Sequence, residues 1–165
     1  MNRFKSFIST MALVASMVPA PALAEEALFT LSGTNSKGQA VEIPFTETLA
    51  QEIGVIELST KVVSEGEAIR KVRGAEIDAT LKKADLVGKI LHVVALDGYA
   101  VDLPREDFTN YGAVFAMSID GKKLTVRDKG PSWIIYPVSK NKELDDPVFE
   151  ARSVWQLKTV TVSDQ

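Results

Sequence analysis

The sequence predicts an α+β fold with mixed, mostly antiparallel sheets and a few short helices. Segments in which apolar and polar residues alternate outnumber segments with helical spacing. Two Asp-Gly pairs, Asp97-Gly98 and Asp120-Gly121, each lie between strand-like runs, the pattern of tight hairpins between antiparallel neighbours. Strands joined by hairpins, with few helices between them, are an α+β arrangement and not a βαβ one.

Taken in order, "ALFTLSGTNSKGQAVEIPF" alternates on both sides of Asn35 to Gly38 and predicts a hairpin turning at Ser36-Lys37-Gly38. "TETLAQEIG" predicts a short helix capped by Thr46 and ended by Gly54. "VIELSTKVV" is β-branched and alternating, hence a strand, and "SEGEA" a turn. "VRGAEIDATLKKADLVG" predicts the clearest helix, with Ile77, Leu81 and Ala84 on one stripe and Gly88 closing it. "KILHVVAL" and "YAVDLP" predict two strands around Asp97-Gly98, in a type I′ turn. "PREDFTNY" predicts an acidic helical turn with Pro104 at or near its first position. "GAVFAMSI" predicts a buried strand that turns at Asp120-Gly121 into "KKLTV". "GPSWIIYPV" predicts a strand between two prolines, and "KNKELDDP" a charged surface loop. "SVWQLKTVTV" predicts a closing strand with Val154, Gln156 and Lys158 on one face and Trp155, Leu157 and Thr159 on the other.

The first 24 residues have the anatomy of a secretory signal peptide. Arg3 and Lys5 precede an apolar run from Phe7 to Val18, and Ala22-Leu23-Ala24 supplies small residues before Glu25-Glu26. That run is shorter than the roughly 20 residues a bilayer requires. The expected mature chain, residues 25–165, is one domain, periplasmic or secreted, with no stable membrane insertion. Without Arg3 and Lys5 it carries 17 basic and 22 acidic residues, a balance with no general attraction for nucleic acid. No GxGxxG follows a strand and no GxxxxGK[ST] is present.

The chain has no cysteine and a single histidine, His92. This removes thiolate nucleophiles, disulfides and thiolate metal ligands, and it rules out a multi-histidine metal site. His92 lies in a strand-like run and reads as a partly buried strand residue before it reads as a general base. Tyr99 is either a hydrogen-bond donor at the lip of a pocket or a β-favouring residue beside a turn. Asp97 is a turn residue first and a ligand-binding candidate second. Trp133 and Trp155 are expected in the core. Asp102, Arg105, Glu106 and Asp107 read as a solvated face, and Arg70, Lys71 and Arg73 as a small basic cluster that solvation explains or an anion fits.

From Val72 onward the motif order resembles the sulfite-oxidase-like molybdopterin-binding domains. The resemblance rests on "VRGAEIDATLKKADL", "LDGYAVDLPREDF", "AVFAMSIDGKKLTVRDKGPSWIIYP" and "SVWQLKTVTV", and covers residues 72–162. It implies a mixed α+β fold around a molybdenum cofactor, with a cysteine thiolate on the metal and oxygen-atom transfer there. The matching position falls within Val55 to Val63, where this chain offers Ser59 and Thr60. Trp133 stands where those enzymes commonly carry an arginine, and Val154 where they tend to place a lysine; Arg and Lys are the usual phosphate partners. Tyr99 falls near a tyrosine that the resemblance implies beside a substrate oxyanion, and Trp133 is a candidate to plug the vacated cleft.

The expected function is a non-catalytic domain that binds a small or anionic ligand, or a periplasmic or membrane-receptor partner. Its candidate ligand-binding residues are Ser59, Thr60, Asp97, Tyr99 and Trp133, with no catalytic or metal-ligating residue. No cofactor is expected, although the resemblance implies molybdopterin. The alternatives are an active molybdopterin-dependent oxidoreductase and an unrelated β-rich structural or adhesion module. The absence of an Arg-Arg pair beside Arg3 points to export before folding, hence without a cofactor inserted in the cytoplasm.

Overall fold

The computed structural model describes residues 25–165, so the expected signal peptide lies outside the described residues. Its architecture is mixed α+β with mostly antiparallel sheets and short helices, as the alternation and hairpin signals require. The strands are β1 (Phe29–Asn35), β2 (Ala40–Phe45), β3 (Val55–Lys61), β4 (Ile69–Glu76), β5 (Leu86–Val87), β6 (Ile90–Ala95), β7 (Ala100–Pro104), β8 (Val114–Ile119), β9 (Lys122–Lys123), β10 (Trp133–Ile135) and β11 (Leu157–Ser163). The helices are α1 (Glu47–Ile53), α2 (Ile77–Lys83), α3 (Arg105–Tyr111) and α4 (Pro147–Arg152). One sheet runs β2-β1-β11-β6-β7, with β5 also on β1; the other runs β10-β8-β4-β3, with β9 also on β8. Among the described residues, only β1 and β11 pair in parallel. No described helix is long and apolar enough to cross a membrane.

One apolar cluster joins the two sheets. Leu31, Leu91, Leu103 and Val160 come from the first, Phe115 and Ile134 from the second, and Ile77, Leu81 and Phe108 from α2 and α3. Phe29, Phe45 and Phe115 pack ring against ring with centroids 4.6 to 5.4 Å apart. The alternation of β8 sends Val114 and Ala116 to the other face, into a second cluster with Leu58, Val72, Trp133 and Ile135. Gly74 lets β4 approach β8 closely: a Cβ there would stand 2.3 Å from the Phe115 carbonyl oxygen.

Several local expectations hold. Thr46 caps α1 by accepting from Leu49 N, and Gly54 closes it. Asp120 and Gly121 both have positive φ, 49° and 78°, as a type I′ hairpin requires. Asp97-Gly98 differs from the expectation. Only Gly98 is left-handed, at φ 89°, and Gly98 N donates to Ala95 O, so the β-turn spans Ala95 to Gly98 and is not type I′.

The expected long helix over residues 72–88 is the larger correction. Residues up to Glu76 belong to β4, paired along β3 and β8, and α2 ends at Lys83; Leu86 and Val87 then join β1. Tertiary pairing overrides helical spacing here. "KKLTV" forms only the short β9, and "KNKELDDP" holds a 3₁₀ turn with Leu144 fully buried. The expected strict alternation from Val154 also fails. Gln156 is left-handed at φ 53°, and a bulge lies between Leu157 and Thr159. The extra residue flips the faces, so Leu157, Val160 and Val162 point inward.

Candidate functional site

The β6–β7 turn, α4 and the chain from Ser153 to Trp155 enclose an open groove of about 330 Å³. Ala95 N donates to Tyr99 O, and the Asp97 side chain accepts from Tyr99 N at 2.9 Å, which fixes the turn that presents Tyr99. Tyr99 is 47 % exposed, and its hydroxyl donates to Ala151 O in α4 at 3.3 Å.

The opposite wall is α4. Asp146 caps it by accepting from Val148 N, with Pro147 in the first turn. Arg152 Nη1 donates to Asp107 Oδ2 at 2.7 Å, and the Tyr136 hydroxyl donates to the same oxygen at 3.3 Å. The Phe149 ring packs edge-on against Tyr111 and Tyr136. Burial raises the Asp107 carboxyl above its ordinary pKa, with Arg152 and Tyr136 acting against the rise. Burial likewise pushes the Tyr136 phenol upward.

The third wall ends at Trp155, which packs against Trp133 behind it. Trp133 is buried and its indole donates to Ser153 O at 3.0 Å. Trp155 lies edge-to-face with it at 6.1 Å and is 39 % exposed. Lys129 Nζ stands 4.7 Å from the Trp133 ring and 5.3 Å from the Trp155 ring. Glu65 and Ser64 hold that ammonium at 2.7 and 2.9 Å.

The structure thus brings Asp97 and Tyr99 to one groove but joins them to Glu150 and Trp155. Ser59, Thr60 and Trp133 do not line it. Ser59 and Thr60 are successive strand residues and face opposite ways: Ser59 is exposed, and Thr60 is fully buried with Oγ1 accepting from Ser139 N. Trp133 packs in the second apolar cluster and borders a separate hollow of only about 20 Å³. A core position for Trp133 matches expectation; the same expectation for Trp155 is corrected by its exposure. Trp155 immediately precedes left-handed Gln156, where the chain leaves strand geometry. Helix α4 is not among the expected elements, although Asp146-Pro147 is a capping pair visible in the sequence.

Other charged residues depart from expectation as well. His92 is exposed on β6, with Nδ1 2.7 Å from Asp102 Oδ1 on the neighbouring strand, and lies outside the groove. Asp107 is buried by its contacts with Arg152 and Tyr136 and is not part of a solvated face. Arg105 donates to Leu86 O, and Arg70 pairs with Asp120 at 2.8 Å. No group of three or more His, Cys, Asp and Glu side chains is placed to hold a metal among the described residues.

No protein-family model matches the sequence. No curated protein matches it either. Among solved structures, the fold is similar to the sulfane dehydrogenase SoxCD from Paracoccus pantotrophus, with a TM-score of 0.55 and 11 % identity. The match covers 83 % of this chain and 38 % of that one, so the chain spans well under half the length of that structure's chain. At such identity the likeness is one of fold.

Proposed function

We propose that this chain is an exported, periplasmic domain of the sulfite-oxidase-like type that binds a small ligand in the Tyr99–Trp155 groove without redox catalysis. The observation that carries the reading is the groove itself: open, about 330 Å³, aromatic at its rim and largely apolar within. That size lies toward the small end of ligand pockets, which run from roughly 300 to 1,000 Å³.

The donor chemistry does not fit a thiolate-bound molybdenum. The chain has no cysteine. Of the two hydroxyls in the matching segment, that of Thr60 is buried and bonded to backbone at Ser139 and Lys61, while Ser59 is exposed on the other face. Trp133 and Val154, which replace the arginine and lysine suited to a pterin phosphate, are both buried and present no cation. The groove also lacks a nucleophile–base pair. Ser64 receives Lys129, Ser153 donates to Phe149 O, and His92 lies elsewhere.

The fold likeness to a sulfane dehydrogenase favours a second reading, an active molybdopterin oxidoreductase. Metal analysis of protein purified from a molybdenum-replete host separates the two. The ligand-binding reading expects no stoichiometric molybdenum and no pterin absorbance; one molybdenum per chain supports the enzyme and overturns it.

A further inference from the structure

The charge of the groove points to a ligand class. Its lining includes the carboxylates of Asp97 and Glu150 and no lysine or arginine. Glu150 is exposed and makes no side-chain hydrogen bond or ion pair among the described residues. Asp97 spends one oxygen on Tyr99 N and keeps the other. An anionic ligand entering here meets two like charges, which disfavours its binding.

Tyr99 and Trp155 add partly exposed aromatic rings to the same lining. Aromatic faces attract cations, Trp most strongly, and quaternary ammonium groups are recognised in this way. The Trp155 ring already has the Lys129 ammonium near it, and Glu65 balances that charge at 2.7 Å, so Lys129 leaves little field against a second cation. Beside Ser64 and Ser153, the remaining lining residues Ala95, Ala151 and Val154 are apolar and suit the methyl groups of a weakly hydrated cation better than a bare ammonium.

We infer that the groove takes a small organic cation of the methylated or quaternary ammonium class, held between the Trp155 and Tyr99 rings and the carboxylates of Glu150 and Asp97. The inference rests on the reading that this groove is the ligand site.

The test uses the full mature chain, with choline and tetramethylammonium as cationic probes and 3,3-dimethylbutan-1-ol as the uncharged isostere of choline. Calorimetry gives affinities and amide NMR shifts give the location. Choline is expected to bind about tenfold more tightly than the alcohol, the scale of a desolvated cation–aromatic contact. Glu150→Gln and Trp155→Leu are each expected to weaken choline several-fold while melting temperatures hold. Equal affinity for the alcohol, with shifts at Tyr99 and Trp155, overturns the cation inference and leaves the groove reading standing. Binding of no probe overturns the inference. Choline shifts confined to other surfaces overturn both.

Discussion

Arg152 and Asp107 meet through a single 2.7 Å contact that ties α4 to α3 and so holds one wall of the groove. The Asp107 side chain is only 7 % exposed, against 25 % for Arg152. Arg152→Ala strands a buried carboxylate without its charge partner. We expect a loss of about 3 kcal/mol in urea unfolding near neutral pH, the low end for breaking a buried pair. Burial holds the Asp107 pKa above its unfolded value, so the folded state binds this proton more readily. Its contribution to stability is therefore greatest below the ordinary carboxylate value of about 3.9 and falls as pH rises through the raised pKa. The pH–stability curve of the unmodified chain minus that of Asp107→Asn isolates this downward slope.

Asp120 has the opposite sign. The Lys71 backbone N–H, and then the Arg70 guanidinium, hold its carboxyl below the ordinary range. Its stabilisation is present above about pH 3.9 and lost as pH falls through the depressed folded pKa. Asp120→Asn keeps a residue that tolerates the left-handed turn and removes the charge. The variant should be less stable than the unmodified chain at pH 6, with the difference in melting temperature shrinking toward pH 3.

The two tryptophans should respond differently to solvent. Trp155 is 39 % exposed and Trp133 only 2 %. Acrylamide should quench the single tryptophan of Trp133→Phe readily and that of Trp155→Phe weakly. Comparable quenching in both would contradict the placement of Trp155 on the groove wall.

Gly74 has no room for a methyl group, because its Cβ would lie 2.3 Å from Phe115 O and 2.8 Å from Ala116 Cα, both backbone atoms that cannot swing aside. Gly74→Ala must separate β4 from β8 and should cost about 3 kcal/mol or more, at the upper end for overpacking. Unfolding midpoints in urea check this; a change under about 1 kcal/mol would show that the sheet yields there, as surface substitutions do.

Local signals were the legible part of the fold. The Thr46 cap, the Asp120-Gly121 turn and the alternation of β1 and β2 act over a few residues, and each predicts its element directly. Signals that depend on distant partners were not legible. Asp107 looks like one acid in a charged run until Arg152, 45 residues away, reaches it. Residues 72–76 look helical until β3 and β8 pair with them. At the site, Asp97 and Tyr99 were readable because a turn presents them. Glu150 and Trp155 were not, because α4 follows a charged run that reads as a loop, and a left-handed Gln156 with a bulge after it reverses the expected faces. Ser59 and Thr60 rest on the resemblance alone, and strand alternation sends them apart.

Amide NMR mapping of the mature chain against a small-molecule set containing cations, anions and neutral compounds tests the central claim most directly. The account predicts that compounds that bind shift Asp97, Tyr99, Glu150 and Trp155 together, with no shift confined to Ser59 and Thr60. Shifts clustered on any other surface, or none with any compound, would contradict a ligand site in this groove.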